Sequence, residues 1–263
     1  MDKENDTNIK QISKEGIVIE DKNVIEISDL KLSFGNNAVL QGIDLEVKKG
    51  ETVVVLGKSG TGKSVLLKCI VRLIMSDSGK INVLGMDVLT LNDKELVKLR
   101  TKIGFIFQQA ALYDSMTVRE NLEFPLERHE NLDEDEHNKR IEEVLESVSQ
   151  KESIDKMPSE LSGGMRKRIG VARTLILKPE IMLWDEPTTG LDPATSREIS
   201  YLIVKMQKDF NVSSIVVTHD MSCAKIVSDR IVVLKDGKFI IEGTYEELSK
   251  SDDEFVKSFF EEV

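Results

Sequence analysis

An apolar strand that runs into a glycine-rich loop and then an apolar helix constrains the fold of this chain more than any other feature. Residues 52–56 carry no charge, residues 57–64 contain three glycines, and apolar side chains are dense in residues 65–74. Two more short, uncharged stretches follow, at residues 181–184 and 214–218. Buried strands separated by long segments with helical spacing are typical of a parallel sheet with helices on both faces. We therefore predict an α/β fold.

The glycine-rich loop matches the pattern G-x-x-x-x-G-K-[ST], which wraps nucleotide phosphates. Glycines let successive main-chain N–H groups approach phosphate oxygens, and the start of the following helix adds its positive end. Lys63 is expected to contact the β- and γ-phosphates, and Ser64 to bind Mg²⁺. The alternative is a glycine-rich turn that matches by chance. The predicted nucleotide-binding residues of this loop are Gly57, Lys58, Ser59, Gly60, Thr61, Gly62, Lys63 and Ser64.

Acidic residues and a histidine stand at the ends of the other two uncharged stretches. Asp185 and Glu186 follow the first, and His219 follows the second. We expect Asp185 to hold Mg²⁺ through water, Glu186 to orient and polarise the water that attacks the γ-phosphate, and His219 to hydrogen-bond that phosphate. A surface acidic pair and a structural histidine are the alternatives. Beside the phosphate loop, these residues predict a site that hydrolyses a nucleotide.

Composition excludes several other kinds of protein. The 263-residue chain has a net charge of −11, which argues against nucleic-acid binding because phosphate backbones require a basic surface. Two cysteines, Cys69 and Cys223, are too few for a disulfide framework and predict reduced thiols. The sequence shows no apolar run long enough to span a bilayer and no secretory signal at its N-terminus. We therefore expect a cytosolic protein whose role at a membrane requires a separate partner.

Changes in composition and spacing divide the chain into parts. The first residues are polar and mixed in charge, whereas alternating apolar side chains from Ile25 onward predict antiparallel strands ahead of the phosphate loop. A capping box at Thr244 and Glu247 opens the terminal helical region, whose aromatic residues either dock on the same chain or clasp a second copy. The predicted parts are a flexible polar leader (1–23), a nucleotide-binding domain (24–248) with a helical subdomain at about 110–178, and a C-terminal helical tail (249–263).

A second glycine motif, Leu-Ser-Gly-Gly-Met at residues 161–165, lies in the helical region ahead of a basic helix. Together with the phosphate loop and the acidic strand end, in this order, it resembles the signature of the ATP-binding cassette (ABC) ATPases. The resemblance covers the chain from about Ile25 to Leu248. It implies an ABC-type P-loop fold, in which a parallel core sheet is joined by an antiparallel β-subdomain and an inserted helical signature subdomain. It also implies ATP hydrolysis, with ATP and Mg²⁺ bound.

The resemblance assigns further residues to roles. Phe34 matches an aromatic that stacks on adenine, and Gln108 matches a catalytic glutamine that contacts Mg²⁺ and the water at the junction to a membrane partner. Glu186 and His219 match the catalytic glutamate and the switch histidine. In this family two subunits pair head to tail, and each signature covers the nucleotide held by the other. The residues implied at the shared site are Ser162, Gly163, Gly164 and, at the dimer centre, Asp192.

The helix after the signature is crowded with basic residues. Ser162 stands where its N-cap belongs, so its dipole end and main-chain N–H groups would face the nucleotide of the partner subunit. The resemblance places the basic surface in the closed interface between subunits, and the alternative is a solvated helix face. The residues concerned are Arg166, Lys167, Arg168 and Arg173.

Finer similarities favour one branch of the family. Met165 stands where many importers have glutamine, and residues 117–122 and 124–129 look like the ATPases of MCE-type lipid transporters, although Lys58 stands where that branch often has proline. This resemblance implies a homodimer on the cytoplasmic face of the bacterial inner membrane. Its implied partners are an integral-membrane permease and an MCE-type lipid-binding subunit. The implied process is phospholipid transport for outer-membrane homeostasis.

Other functions stay open at this point. An amino-acid or other importer is the closest alternative within transport, and a cluster-assembly ATPase is the closest outside it. A P-loop GTPase would need an Asn-Lys-x-Asp motif for base recognition, which the sequence lacks.

Overall fold

The computed structural model describes residues 11, 12 and 18–261, so most of the predicted leader lies outside the described residues. The strands are β1 (Gln11–Ile12), β2 (Val18–Phe34), β3 (Asn37–Lys49), β4 (Thr52–Leu56), β5 (Ser78–Val83), β6 (Met86–Asp87), β7 (Ile103–Ile106), β8 (Ile181–Asp185), β9 (Ser213–Thr218), β10 (Arg230–Lys235) and β11 (Lys238–Gly243). The helices are α1 (Lys63–Ile70), α2 (Asp93–Thr101), α3 (Val118–His129), α4 (Glu134–Ser147), α5 (Gly163–Leu175), α6 (Pro193–Phe210), α7 (Met221–Val227), α8 (Tyr245–Leu248) and α9 (Glu254–Phe260). Two short 3₁₀ turns, Lys151–Ser153 and Pro158–Glu160, precede α5.

Six strands form the central sheet in the order β11-β10-β4-β9-β8-β7. Neighbouring strands are parallel except β11, which pairs antiparallel with β10. Every residue of β4, β8 and β9 is buried, which explains why these stretches carry almost no charge. Because parallel strands end at the same edge of a sheet, the residues that follow β4, β8 and β9 meet there. The predicted α/β fold is confirmed.

Each face of the central sheet packs against a different layer. Val54 and Trp184 lie in a core shared with α3–α7, whereas Val53 and Leu183 lie in a core shared with α1, α2 and the antiparallel strands. Successive side chains of a strand point to opposite faces. The central strands must therefore be apolar at almost every position, and the edge of the sheet is left for polar chemistry.

The antiparallel sheet contains β1, β2, β5 and β6, with β3 paired to β2. Pairing begins at Val18 in β2, before the boundary predicted at residue 23. Two acidic residues of the predicted leader form ion pairs between β2 and β3. Asp21 pairs with Lys48, and Glu20 pairs with Lys49. Opposite charges on paired strands stabilise a ribbon. Residues 18–23 are therefore strand in this structure, and the start of the domain at residue 24 stays a sequence-based prediction.

Helices α3, α4 and α5 lie within residues 110–178, the predicted helical subdomain. They pack on one face of the central sheet. A capping box of Asp133 and Glu136 starts α4, so the acidic run in the sequence forms the beginning of a helix. Ser162 caps α5 by accepting a hydrogen bond from the main-chain N–H of Met165. The capped start fixes the direction in which the N-terminus of α5 points.

The last helix, α9, packs on the same chain. Val256 and Phe259 are buried in the core shared by α3–α7. The Phe255 ring lies under two ammonium groups, with the Lys235 and Lys58 nitrogens 4.7 and 5.4 Å from its centre. These contacts favour docking on the same chain over clasping a second copy. Among residues 11, 12 and 18–261, no helix is long and apolar enough to cross a membrane.

Candidate functional site

The phosphate loop joins the end of β4 to the start of α1, and its glycines fit tightly. A Cβ atom on Gly57 would lie 2.8 Å from the carbonyl oxygen of Leu234. Gly62 has a φ of 100°, and a Cβ there would lie 2.9 Å from Val39 Cγ1. Gly60 also has a positive φ, of 81°, with open space around it. Only glycine meets these conditions without strain, so the loop keeps its main-chain N–H groups accessible.

The start of α1 differs from the other helix starts. Gly62 is its N-cap and has no side chain to accept a hydrogen bond, whereas every other α-helix in the described part of the chain begins at a side-chain cap. The first N–H groups of a helix need partners from outside it. Because no side chain supplies one at α1, this helix start is suited to a phosphate group.

Lys63 is almost completely buried, with 5% of its side chain exposed. Its ammonium donates to the carbonyl oxygens of Gly57 at 2.6 Å and Lys58 at 3.0 Å. It also lies 3.2 Å from Glu186 Oε1. A buried charge requires such pairing. The loop thus places the ammonium among its own carbonyl groups, where it also reaches the end of β8.

Ser64 and Asp185 bring two oxygen ligands together from elements 121 residues apart. The Ser64 hydroxyl donates to Asp185 Oδ1 at 2.6 Å. Hydroxyl and carboxylate oxygens are the ligand type that Mg²⁺ prefers, with water completing the shell. The donor set therefore fits the predicted ion. No cluster of three or more His, Cys, Asp or Glu suited to a metal occurs among the described residues.

Glu186 is held in an unusual conformation at the end of β8. Its φ is 49°, in the left-handed region that glutamate rarely adopts, and its main-chain N–H donates to the carbonyl oxygen of Val217. Its Oε2 lies 2.9 Å from Nδ1 of His219 and accepts from the Thr189 hydroxyl at 3.3 Å. With Lys63 on Oε1, three side chains orient the carboxylate. The structure thus brings together the lysine, the two acids and the histidine predicted at this edge.

The loops after β8 and β9 are tied together by residues that we did not predict. The Thr188 hydroxyl donates to Asp220 Oδ2 at 2.9 Å, and Asp220 also caps α7. Gly57 donates its N–H to the carbonyl oxygen of Thr218. An acid directly before a short apolar helix is an N-cap pattern, so Asp220 had a signal in the sequence. Thr188 and Thr189 had none, because their roles depend on loops that meet only in the fold.

The signature residues lie apart from this cluster. A Cβ on Gly164 would lie 2.7 Å from Thr195 Cγ2 in α6, so close packing of two helices requires this glycine. Gly163 has only Leu191 Cδ2 nearby, at 3.6 Å. The described contacts of Ser162 and both glycines are with α5, α6 and the loop before α6, and not with the phosphate loop of the same chain.

Three other predicted residues occupy exposed or local positions. Phe34, at the end of β2, is 52% exposed. The Gln108 side chain is exposed after β7, while its main-chain oxygen accepts from Lys167. Asp192 caps α6, and hydrogen bonds from the side chain and main chain of Thr195 lower the pKa of its carboxyl. None of the three contacts the lysine and acid cluster among the described hydrogen bonds.

The basic residues of α5 differ in exposure: Lys167 is buried, Arg168 and Arg173 are partly buried, and Arg166 is exposed, as predicted for a solvated face. Each donates to a main-chain carbonyl oxygen of another segment, and Arg168 also pairs with Glu198. The four bonds are Arg166 to Leu161, Lys167 to Gln108, Arg168 to Val148 and Arg173 to Ala111. Carbonyl groups at loop ends attract cations because they have no partner in regular structure.

The sequence is similar to ATP-binding proteins of several transport systems. The sequence profile of the family described as ABC transporter matches residues 40–189, more than half of the chain. The intermembrane phospholipid transport system ATP-binding protein MlaF of Haemophilus influenzae is 36% identical over 238 residues, which cover 90% of both chains. The probable ribonucleotide transport ATP-binding protein mkl of Mycobacterium leprae is 38% identical over 235 residues, which cover 89% of this chain and 68% of mkl.

Another relative is longer than this chain. The methionine import ATP-binding protein MetN of Rhizobium johnstonii is 39% identical over 220 residues, which cover 84% of this chain but only 60% of MetN.

Two solved structures share the fold. The structure of cbiO1 from Clostridium perfringens, part of the ABC transporter complex cbiONQ, has a TM-score of 0.80 at 31% identity and covers 87% of this chain and 91% of its own. A dimeric post-hydrolysis state of the ATP-binding cassette MJ0796, bound to ADP and Pi, has a TM-score of 0.76 at 33% identity, with 84% and 98% covered. Fold, motif order and family profile agree, and this chain therefore belongs to the ABC transporter family and carries its ATP-hydrolysing cassette.

Proposed function

We propose that two copies of this chain bind and hydrolyse ATP in a head-to-tail pair and thereby drive a separate membrane permease that moves phospholipid. The proposal of ATP hydrolysis rests on a cluster of five side chains at one edge of the parallel sheet. They are those of Lys63, Ser64, Asp185, Glu186 and His219. A lysine for phosphate, an oxygen pair for a divalent ion and an oriented carboxylate are what γ-phosphate hydrolysis requires.

ATP is held first by its phosphates. The main-chain N–H groups of residues 57–64 and the uncapped start of α1 face the phosphate oxygens, and Lys63 contacts the β- and γ-phosphates. Ser64 and Asp185 would hold Mg²⁺, directly or through water, and Gln108 would be a further ligand. When bound, Mg²⁺ supplies positive charge against the phosphate oxygens. The exposed ring of Phe34 stacks on adenine.

Hydrolysis then depends on Glu186. Phosphate groups compete with its carboxylate for the Lys63 ammonium, which lies 3.2 Å away, so nucleotide binding frees one carboxylate oxygen. The strained main chain and the contacts with His219 and Thr189 keep that group at the sheet edge. There it orients and polarises the attacking water. His219, more than half exposed, hydrogen-bonds the γ-phosphate as charge develops.

The second subunit completes each site. A Cβ on Gly163 would meet one nearby atom, Leu191 Cδ2 at 3.6 Å, and Ser162 keeps its hydroxyl proton available because it uses only a lone pair to cap α5. Ser162, Gly163 and Gly164 therefore cover the γ-phosphate bound to the other copy, with Asp192 at the centre of the pair. The dimeric MJ0796 cassette supports this arrangement by analogy.

A mixture of two defective chains tests the shared site. Lys63→Ala removes phosphate binding and Ser162→Asp puts a negative charge on the signature, so each variant alone should not hydrolyse ATP. In a mixed pair, one site combines the intact phosphate loop of one copy with the intact signature of the other. We expect ATP hydrolysis to return on mixing. If the mixture stays as inactive as a chain with both substitutions, the shared site is refuted.

The relatives of this chain transport different substrates. MlaF, described as a phospholipid transport protein, matches this chain over 90% of both lengths, whereas MetN extends far beyond the match. This favours lipid, with a permease and an MCE-type lipid-binding subunit as partners at the cytoplasmic face of the inner membrane. A methionine or other importer is the second candidate, because MetN has the higher identity.

Purification from native membranes decides between these substrates. The tagged chain carrying Glu186→Gln, which should retain its nucleotide, is solubilised with its partners, and these are identified by mass spectrometry. A permease with a lipid-binding subunit and co-purified phospholipid supports the proposal. An amino-acid permease, or soluble partners alone, contradicts it.

A further inference from the structure

One face of α5 holds the segment that contains Gln108. Lys167, Gly170 and Arg173 are three residues apart and so share a face of the helix. The Lys167 ammonium donates to the Gln108 carbonyl oxygen at 2.5 Å. A Cβ on Gly170 would lie 3.1 Å from the Ala110 carbonyl oxygen, so the segment packs directly on the helix.

The far end of the segment is fixed by the third residue of this face. Arg173 donates to the carbonyl oxygen of Ala111, and its guanidinium carbon lies 4.4 Å from the centre of the Tyr113 ring. Ala111 has a φ of 50°, in the left-handed region, so this turn of the main chain is strained without outside support. The segment is therefore held by α5 at both ends.

Lys167 is unusual within this set because it is buried. Only 7% of the residue is exposed, and burial lowers the pKa of its ammonium while the charges of Asp185 and Glu186 act against that shift. A buried ammonium is costly unless it is paired. Its one described hydrogen-bond partner is the neutral carbonyl group of Gln108, on a segment 59 residues away in sequence.

We propose that Lys167 is a positioning residue for Gln108: by fixing the main chain of Gln108 it directs that side chain toward the proposed Mg²⁺ site and the attacking water. This rests on the role proposed for Gln108. Fixing the carbonyl group limits the main-chain rotation that would swing the Cβ of the same residue. The bond also joins the helix that begins at Ser162 to the segment after β7.

The first test is the steady-state kinetics of Lys167→Met, which keeps the length of the side chain but removes the donor. Because Lys167 does not touch substrate, we expect kcat to fall about tenfold while KM for ATP stays within about twofold. The matched control is Lys205→Met, since Lys205 also donates to a main-chain carbonyl, that of Ser147, away from the site. It should leave both constants unchanged.

The deciding test is a double-mutant cycle with Gln108→Ala. If Lys167 acts through Gln108, adding Lys167→Met to Gln108→Ala should lower kcat by less than about twofold. A further tenfold loss in that background, with Gln108→Ala itself impaired, would overturn the positioning role and leave the role of Gln108 intact. Normal turnover in Gln108→Ala alone would refute the role of Gln108 and this inference with it.

Folding is monitored in every variant by thermal unfolding and by affinity for a non-hydrolysable ATP analogue. A Lys167→Met protein with normal stability and affinity but low kcat supports the proposal, whereas a parallel loss of affinity overturns it. Should Lys167→Met not fold, the same cycle is run with Lys167→Leu, which also removes the donor.

Discussion

At the residue scale, the positions of the Glu186 carboxylate oxygens define the proposed catalytic site at the edge of the central sheet. Its left-handed main chain is unfavourable for glutamate, and contacts with Lys63, His219 and Thr189 hold it there. Strain of this kind persists only where surrounding structure outweighs it. The contacts that orient the Glu186 carboxylate therefore outweigh the energetic cost of its left-handed main chain.

Glu186→Gln tests the charge of that group without changing its shape. The amide keeps most contacts but does not polarise water, so we expect the rate of ATP hydrolysis to fall by about a hundredfold or more. ATP affinity should be retained, because the phosphate loop is intact. Turnover and nucleotide binding are measured against Glu180→Gln, which removes a carboxylate from an exposed ion pair with Lys102. Hydrolysis at the normal rate would exclude Glu186 as the group that activates water.

Sequence patterns predicted Lys63, Glu186 and His219, because each lies in the glycine-rich loop or close after an uncharged strand. Lys167 was placed either on a solvated face or in an interface, because basic residues on a helix are usually exposed. Its true partner is a carbonyl group 59 residues away, which helical spacing does not indicate.

At the element scale, the N-termini of α1 and α5 differ in how they are capped and in the role that we propose for each. The N-terminus of α1 has no side-chain cap and faces the predicted phosphate site, whereas α5 begins at Ser162, which caps its own helix. A serine hydroxyl that accepts one hydrogen bond still has a proton to donate. The same residue therefore serves both the stability of α5 and the proposed contact with the other copy's ATP.

Ser162→Asp separates these two roles. Aspartate is as good an N-cap as serine, so the free energy of unfolding should change by less than about 0.5 kcal/mol. Its carboxylate would repel the γ-phosphate, and we expect hydrolysis to fall by about a hundredfold, as when one donor to a developing charge is lost. Thr244→Asp, at the N-cap of α8, is the control for both chemical denaturation and turnover. Normal turnover in Ser162→Asp would mean that the signature faces no phosphate.

At the scale of the whole molecule, the central sheet separates two cores and leaves one polar edge. The two cysteines lie on opposite sides of it, Cys69 in the core with α1 and Cys223 in the core with α7. Both are buried free thiols, which agrees with the reduced state predicted from their number. Burial raises the pKa of Cys69 to about 11 and that of Cys223 to about 12.

These thiols predict a loss of stability at alkaline pH. Unfolded thiols ionise near the ordinary pKa of 9.0, whereas the folded protein keeps them protonated, so the folded state binds more protons above pH 9. Between pH 9 and 11 each thiol should lower the free energy of unfolding by at most about 1.4 kcal/mol per pH unit. Urea unfolding at several pH values is compared with the Cys69→Ala/Cys223→Ala variant, which should show a smaller slope. Equal slopes would contradict the burial of ionisable thiols.

By itself the sequence determined the kinds of chemical group and their order: a loop for phosphate, acids and a histidine after uncharged strands, and a second glycine motif that marks the family. These signals are local, since glycine conformation, strand burial and helix capping depend on neighbouring residues. Only the tertiary structure decided which groups meet. The Ser64–Asp185 and Lys167–Gln108 contacts join residues 121 and 59 positions apart, and such contacts form only when the sheet and α5 pack. The physical reason is that packing between distant elements, rather than local propensity, sets the direction of a side chain.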